Sequence, residues 1–283
     1  MMFLKSVGFL YLLPIGIFFG CLFMYPMIEG FLLSLHPEGA GGLSFANYVR
    51  FFSDPRMLRT LRFTAFDMGV VVTTISLFIT IPLAYKLRRK FRGVVLLRTL
   101  VSAPLGYSGI IAVSIVYLAF SGWGLFNLFL MRAGIIVRPL DLVGNYTGVV
   151  LASIYQQVPI LFLFILAALA SIDPTLEEAA KTLGASEWQV FKRIIFPLAL
   201  PAVTTAGILG YITNYSCYVT ALIAGDPAYR TRTLMIEAYE QAYRRFDWSM
   251  ATTVTTISAA IGLLIFFVYL RLQQRVMRRG SYG

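Results

Sequence analysis

Six long runs almost free of charge dominate this chain. Residues 6–28, 63–85, 99–131, 142–172, 194–225 and 248–270 contain no Asp, Glu, Lys or Arg apart from Asp67. A helix needs about 20 residues to cross the hydrocarbon core of a bilayer, and every run is longer than that. Charged residues make up 13% of the chain, about half the share of an ordinary soluble domain. The expected fold class is therefore an all-α integral membrane protein with six transmembrane helices. The expected organisation is one transmembrane domain over 1–283, with spans near 7–28, 63–85, 99–121, 147–171, 202–224 and 248–270.

The basic residues set the expected orientation. Segment 86–98 carries Lys86, Arg88, Arg89, Lys90, Arg92 and Arg98 with no acid, and the tail after Leu270 carries Arg271, Arg275, Arg278 and Arg279, again with none. Placing both on the cytoplasmic side satisfies the positive-inside rule. With six spans it puts both termini, Lys5 and segment 173–193 in the cytoplasm, and 29–62, 132–141 and 226–247 outside. The net charge of +11 is then mainly a topology signal. Nucleic-acid binding would need a soluble basic surface that such short loops do not supply.

Several chemistries lack their residues. No lysine follows a glycine, so the Gly-Lys pair of a phosphate-cradling loop is absent. One histidine, His36, and two distant cysteines, Cys21 and Cys217, do not make a zinc site or a disulfide framework. His36 is expected on a solvated outer loop. The Phe18-Phe19-Gly20-Cys21 stretch has a faint lipoprotein-signal look, but its apolar run is too long for a signal segment.

Between the fourth and fifth runs lies "DPTLEEAAKTLGASEWQVFKRIIFP", residues 173–197, rich in charge. Asp173 is suited to cap a helix and Pro174 to open one. Glu177 and Glu178 fall in the first turn, where the helix dipole favours acids. Leu176, Ala179, Ala180 and Leu183 share one apolar stripe. Gly184 fits the left-handed residue that ends a helix, and Ser186 with Gln189 has capping-box spacing for a second helix. Local physics leaves two readings open: a helix lying on the membrane or its own bundle, or a helix offered to a partner protein.

The segment resembles the EAA loop of binding-protein-dependent ABC importer permeases. The family pattern maps onto Glu178, Ala179, Ala180, Gly184, Ile194 and Pro197, with Phe196 standing where the family has leucine. Stretches 124–142 and 171–186 look closest to spermidine/putrescine-type permeases, while 232–251 fits sugar-type permeases as well, and phosphonate- or iron-type permeases are similar in the same skeleton. The resemblance implies a type I importer permease of the bacterial cytoplasmic membrane, whose loop 172–197 docks as a coupling helix on a dimer of separate ATPase subunits. It implies a second, identical or homologous permease subunit and an extracytoplasmic solute-binding protein. It also implies no cofactor on this chain, with ATP and Mg on the ATPase, and a small polar solute, polyamine-like ahead of sugar.

Candidate pathway residues come from polar positions within spans. Asp67 is the lone intramembrane acid: a solute contact, a structural partner, or an acid solvated near the outer interface. Tyr107, Ser114, Tyr117 and Ser121 recur at helical spacing in the third span, as do Gly207, Tyr211, Asn214 and Tyr218 in the fifth. Gln156 and Gln157 precede Pro159 in the fourth. Such stripes either hold helices together or line a route. A polyamine route would be expected to carry more acids than Asp67 alone. Two other classes are distinguishable in principle: an integral-membrane enzyme, betrayed by activity without an ATPase, and a receptor whose 173–193 segment docks another kind of partner.

Overall fold

The structure is a computed structural model that describes residues 14–37 and 42–280. Lys5 and the first residues of the expected 7–28 span lie outside the described residues. Among the described residues, six helices are long and apolar enough to cross a membrane. They are α1 (Pro14–Ser34), α2 (Pro55–Leu87), α3 (Gly109–Arg132), α4 (Tyr146–Ala170), α6 (Glu187–Tyr215) and α8 (Trp248–Arg271). Two shorter helices complete the numbering used below, α5 (Thr175–Thr182) and α7 (Val219–Ala224). The described residues contain no strand.

Where helices start and stop follows local chemistry. The third membrane-length helix begins at Gly109, later than the span expected over 99–121. A separate helix, Val94–Ser102, precedes it and ends in a 3-10 turn at Ala103–Gly106. Pro104 has no N–H to continue the ladder, and Gly106 and Gly109 lower helix propensity around the break. Within α3 the Ser121–Gly124 turn interrupts the helix before Leu125. In α6, Pro197 lacks a donor and crowds the carbonyl four residues earlier. The chain absorbs this as a π-turn at Phe191–Ile195. A similar π-turn at Gly20–Met24 lies just ahead of Pro26 in α1.

The chain divides into two compact units, one formed by the described residues up to Leu58 with Glu237–Ile261, the other by Arg59–Ile236 with the described residues from Gly262. The first unit is stitched by polar contacts around fully buried Phe51 and Met250. The Asn47 amide donates to Ser249 Oγ at 2.7 Å, and Ser249 donates to the Leu33 carbonyl at 2.9 Å. Arg50 pairs with Asp247 at 3.5 Å, while Asp247 accepts the Met250 N–H at 2.7 Å.

In the second unit α2 and α4 run in the same direction. Phe63 and Val149 meet in one cluster near their N-terminal ends, and Leu87 and Leu169 in another near their C-terminal ends. Helix α6 runs the opposite way, with Ile195 and Ala199 at the Leu87 end and the Tyr211 hydroxyl donating to the Ala65 carbonyl at 3.2 Å. Lipid offers no hydrophobic drive for helices to associate, so close packing over small residues carries the contact. A Cβ on Gly69 would overlap the Tyr211 ring, and one on Gly210 would overlap the Gln157 amide.

Candidate functional site: the charged segment and the opposite end of the bundle

The segment after α4 folds as its sequence dictates. Asp173 Oδ1 accepts the Thr175 N–H at 2.9 Å, and this backbone hydrogen bond holds the carboxyl below its ordinary value. Helix α5 places Glu177 and Glu178 in its first turn. It ends in a Schellman motif, with Ala185 N–H on the Ala180 carbonyl at 3.1 Å and Gly184 N–H on the Lys181 carbonyl at 3.0 Å. That motif needs a left-handed residue, and Gly184 supplies it at φ +84. The expected capping box then opens α6: Gln189 N–H donates to Ser186 Oγ at 3.3 Å, and Ser186 N–H to Gln189 Oε1 at 2.8 Å.

The segment has two faces. Its inner face packs Ala180, Ala185 and Ile194 on the cluster built from Leu87, Leu169 and Ile195. Its outer face leaves Glu178, Ala179 and Leu176 exposed, with Leu183 89% and Trp188 67% accessible. Leu183 and Trp188 give this outer face an apolar character. Ile194 is half-buried, and exposed Pro197 follows the π-turn.

An ion cluster fixes this surface to the end of α2. Arg88 donates to Glu177, and both side chains are largely but not fully covered, 7% and 12% exposed. Arg89 reaches Glu177 at 3.5 Å and Glu187 at 2.8 Å, while Lys86 and Lys181 approach Glu187 at 3.8 and 3.7 Å. The hydrogen bond to Glu187 raises the Arg89 pKa further. The Tyr85 ring lies under Arg88 at 4.6 Å, a cation–π contact, and meets Phe191 edge-on at 4.7 Å. Arg98 donates to the Leu87 and Arg88 carbonyls, at 2.6 and 3.2 Å, where the unsatisfied carbonyls of α2 attract a cation. The basic run 86–98 is thus more than a topology signal. Arg88, Arg89, Glu177 and Glu187 carry an attachment that sequence reasoning does not single out.

The other end of α2 and α4 is open. A cavity of about 370 Å³ is lined by Arg59, Arg62, Phe63, Asp67, Tyr146 and Arg230. The Tyr146 hydroxyl donates to Asp67 Oδ1 at 3.2 Å, so the acid has a structural partner and shares its cavity with three arginines.

The remaining pathway candidates separate. Gln156 donates to Thr220 Oγ1 at 2.9 Å, joining α4 to α7, and buried Gln157 donates to Thr73 Oγ1 at 3.2 Å, joining α4 to α2. Tyr211 and Asn214 are buried on α6, and the Asn214 amide nitrogen has no hydrogen-bond partner among the described residues. Tyr218 lies beyond the end of α6, against the Phe63 cluster. Tyr107 is extended, at φ −103 and ψ 148, outside the helix that carries half-exposed Tyr117. Tyr107, Ser114, Tyr117 and Ser121 therefore do not form one helical face, because Pro104 and Gly106 break the chain ahead of Gly109. His36 is exposed, and Cys21 and Cys217 are free thiols.

Residues 143–278 match the family described as "Binding-protein-dependent transport system inner membrane component". The chain is 30% identical to the sn-glycerol-3-phosphate transport system permease protein of Brucella abortus biovar 1, covering 90% of each. It is 24% identical to the sulfate transport system permease protein of Escherichia coli K12, over 96% of this chain and 95% of that one. Among solved structures it is similar to a bacterial ABC transporter involved in the import of the acidic polysaccharide alginate, with a TM-score of 0.79, 20% identity and 96% of each chain covered. That likeness shows the fold, six membrane helices of the type I importer permease kind. The chain belongs to the binding-protein-dependent transport inner-membrane component family: it is a multi-pass inner-membrane permease subunit of an ABC importer, and not itself an enzyme.

Proposed function

We propose that this chain, paired with a second permease subunit, forms the translocation route for a small polar solute of the sugar, glycerol-phosphate or sulfate kind. The 173–197 segment is its docking surface for a separate ATPase dimer that holds ATP and Mg. A solute-binding protein delivers the cargo at the opposite end. The carrying observation is the likeness over nine-tenths of both chains to a glycerol-phosphate permease. The outer face of α5 supports the docking role: Glu178, Ala179 and Leu183 stand free while Glu177 and Ala180 are spent on internal contacts. The polyamine-type cargo expected from stretches 124–142 and 171–186 draws no such support, since Asp67 shares its cavity with three arginines. In this reading both termini and segment 86–98 are cytoplasmic.

Two measurements test the reading. The solute retained by the co-purified binding protein should be a sugar, a polyol phosphate or an inorganic oxyanion. Retention of spermidine or putrescine would return the chain to the polyamine group. For orientation, cysteines placed at positions 90 and 278 should resist an impermeant reagent in intact cells. Labelling at either position would invert the topology.

A further inference from the structure

We infer that the cavity at the N-terminal ends of α2 and α4 is an entry site for the anionic group of the solute, with Arg59, Arg62 and Arg230 as its donors. The inference rests on the importer reading above and narrows the cargo within it to solutes bearing a carboxylate, sulfate, sulfonate or phosphate.

The charges of this cavity are unbalanced. Three arginines and one acid line it, and that acid already accepts the Tyr146 hydroxyl at 3.2 Å. None of the three arginines makes an ion pair or side-chain hydrogen bond among the described residues. Elsewhere the same unit does the reverse: Arg88, Arg89 and Arg98 each donate to a protein acceptor. Like charges brought together without a partner repel, so a site that gathers them is completed by an anion. Arginine suits that task because its planar fork offers paired donors to an oxyanion.

The dimensions and walls favour a small molecule over a polypeptide side chain. A cavity of about 370 Å³ falls within the usual range for small-molecule sites, roughly 300–1,000 Å³. One wall is aromatic, with Phe63 and Tyr146 in edge-on contact at 6.1 Å between centroids. Such a wall suits the carbon face of a sugar or glycerol body beside the charged group. Asp67 then acts against the anion and sets how tightly it is held. A site that binds weakly enough to release its occupant is what a transport route needs.

The position agrees with an entry role. The cavity lies at the ends of α2 and α4 remote from the charged segment, because the two helices run together from the Phe63–Val149 cluster to the Leu87–Leu169 cluster. Arg230 comes from the connection after α7 and so brings a third element to the rim.

The test uses the full chain in nanodiscs of neutral phosphatidylcholine, with radiolabelled sulfate and sn-glycerol-3-phosphate as probes and glycerol and putrescine as controls. Wild type should bind both anions, more weakly at about 0.15 M salt than at low salt, and neither control. The combined Arg59→Gln, Arg62→Gln and Arg230→Gln variant should lose at least about tenfold in anion affinity. Asp67→Asn should gain about two- to fivefold, a change of opposite sign that a general folding defect does not produce. All three arginines are exposed, and Arg230→Gln alone, checked by size exclusion, guards against collapse of the triple variant. Equal anion binding by wild type and the triple variant overturns the site, as does binding of putrescine in preference to the anions. ATPase retention, measured on the same preparations, keeps the two readings apart. Anion binding lost with ATPase retained supports the site within a working importer subunit. Anion binding by a wild-type chain that retains no ATPase sinks the docking role proposed for the 173–197 segment and leaves the site standing.

Discussion

At the C-terminal end of α2, Arg88 and Arg89 are folded into the protein. They meet Glu177 and Glu187, stack on Tyr85 and hold α5 in place. At its N-terminal end, Arg59 and Arg62 stand exposed around a cavity with no acid paired to them. One helix thus uses the same side chain in two opposite ways. At the proposed docking surface the charges are neutralised from within, which holds α5 to α2. At the proposed entry site they are gathered and left without internal partners. Pairing, rather than the count of basic residues, distinguishes the two ends.

The largest effect is expected at Arg88. Arg88→Ala would leave Glu177, a part-buried carboxylate, with only the longer Arg89 contact, a cost of about 2–3 kcal/mol, below the roughly 3–5 kcal/mol of a fully buried pair. Equilibrium unfolding in mixed micelles should show that loss, and the double variant Arg88→Met with Glu177→Leu should recover most of it. If Arg88→Ala costs less than about 1 kcal/mol, the pair is no better than a surface bridge, and the contrast between the ends disappears.

Gly184→Val comes next. A Cβ there meets nothing within 4 Å in this chain, so the penalty is the left-handed backbone, φ +84, together with bulk at the docking face. Strain of about 1–3 kcal/mol weakens docking by roughly ten- to a hundredfold. Co-purification should show ATPase and uptake lost together at normal membrane levels. Gly184→Asn, which tolerates the left-handed region, should retain much of both. Full ATPase retention by the valine variant would make α5 a surface helix and nothing more.

Between the two ends, Tyr211→Phe removes one hydrogen bond to the Ala65 carbonyl and should cost about 0.5–1.5 kcal/mol of stability, with the KM for uptake unchanged. A raised KM at unchanged stability would make Tyr211 a wall of the route instead of a bond between helices.

The smallest effect concerns pH. The folded-state pKa of Asp173 lies below its ordinary 3.8, so its capping contribution is complete above that value. It is lost as pH falls through the lower, folded value. Asp173→Asn should flatten the acid limb of α5 stability below about pH 4 and leave ATPase retention at neutral pH intact. An acid limb identical to wild type would remove the cap from the account.

What the sequence disclosed and what it hid divide by chain distance. The Schellman glycine, the Ser186–Gln189 box and the Asp173 cap use partners within five residues, so residue type and spacing suffice to read them. The charge-free runs announce membrane helices for the same reason. The Arg88–Glu177 pair joins residues 89 apart, and the cavity brings Arg230 to Arg59 and Arg62. Neither juxtaposition leaves a local trace, since both depend on α2 and α4 running side by side. The break before Gly109 lies in between. Pro104, Gly106 and Gly109 are visible punctuation, but a charge-free run measures hydropathy and is blind to it.

Midway along the bundle, three helices meet at one joint. Thr73 and Gln157 share a hydrogen bond close to the middle of α2 and α4, and Gly210 of α6 lies so close to the Gln157 amide that no side chain fits between them. Sliding α4 past α2 by a turn would strand a buried amide in the apolar interior, a cost of about 1–3 kcal/mol. The same register is held at both ends by the Phe63–Val149 and Leu87–Leu169 clusters, so over the 25 residues of α4, about 37 Å at 1.5 Å per residue, three contacts brace the two helices as one unit.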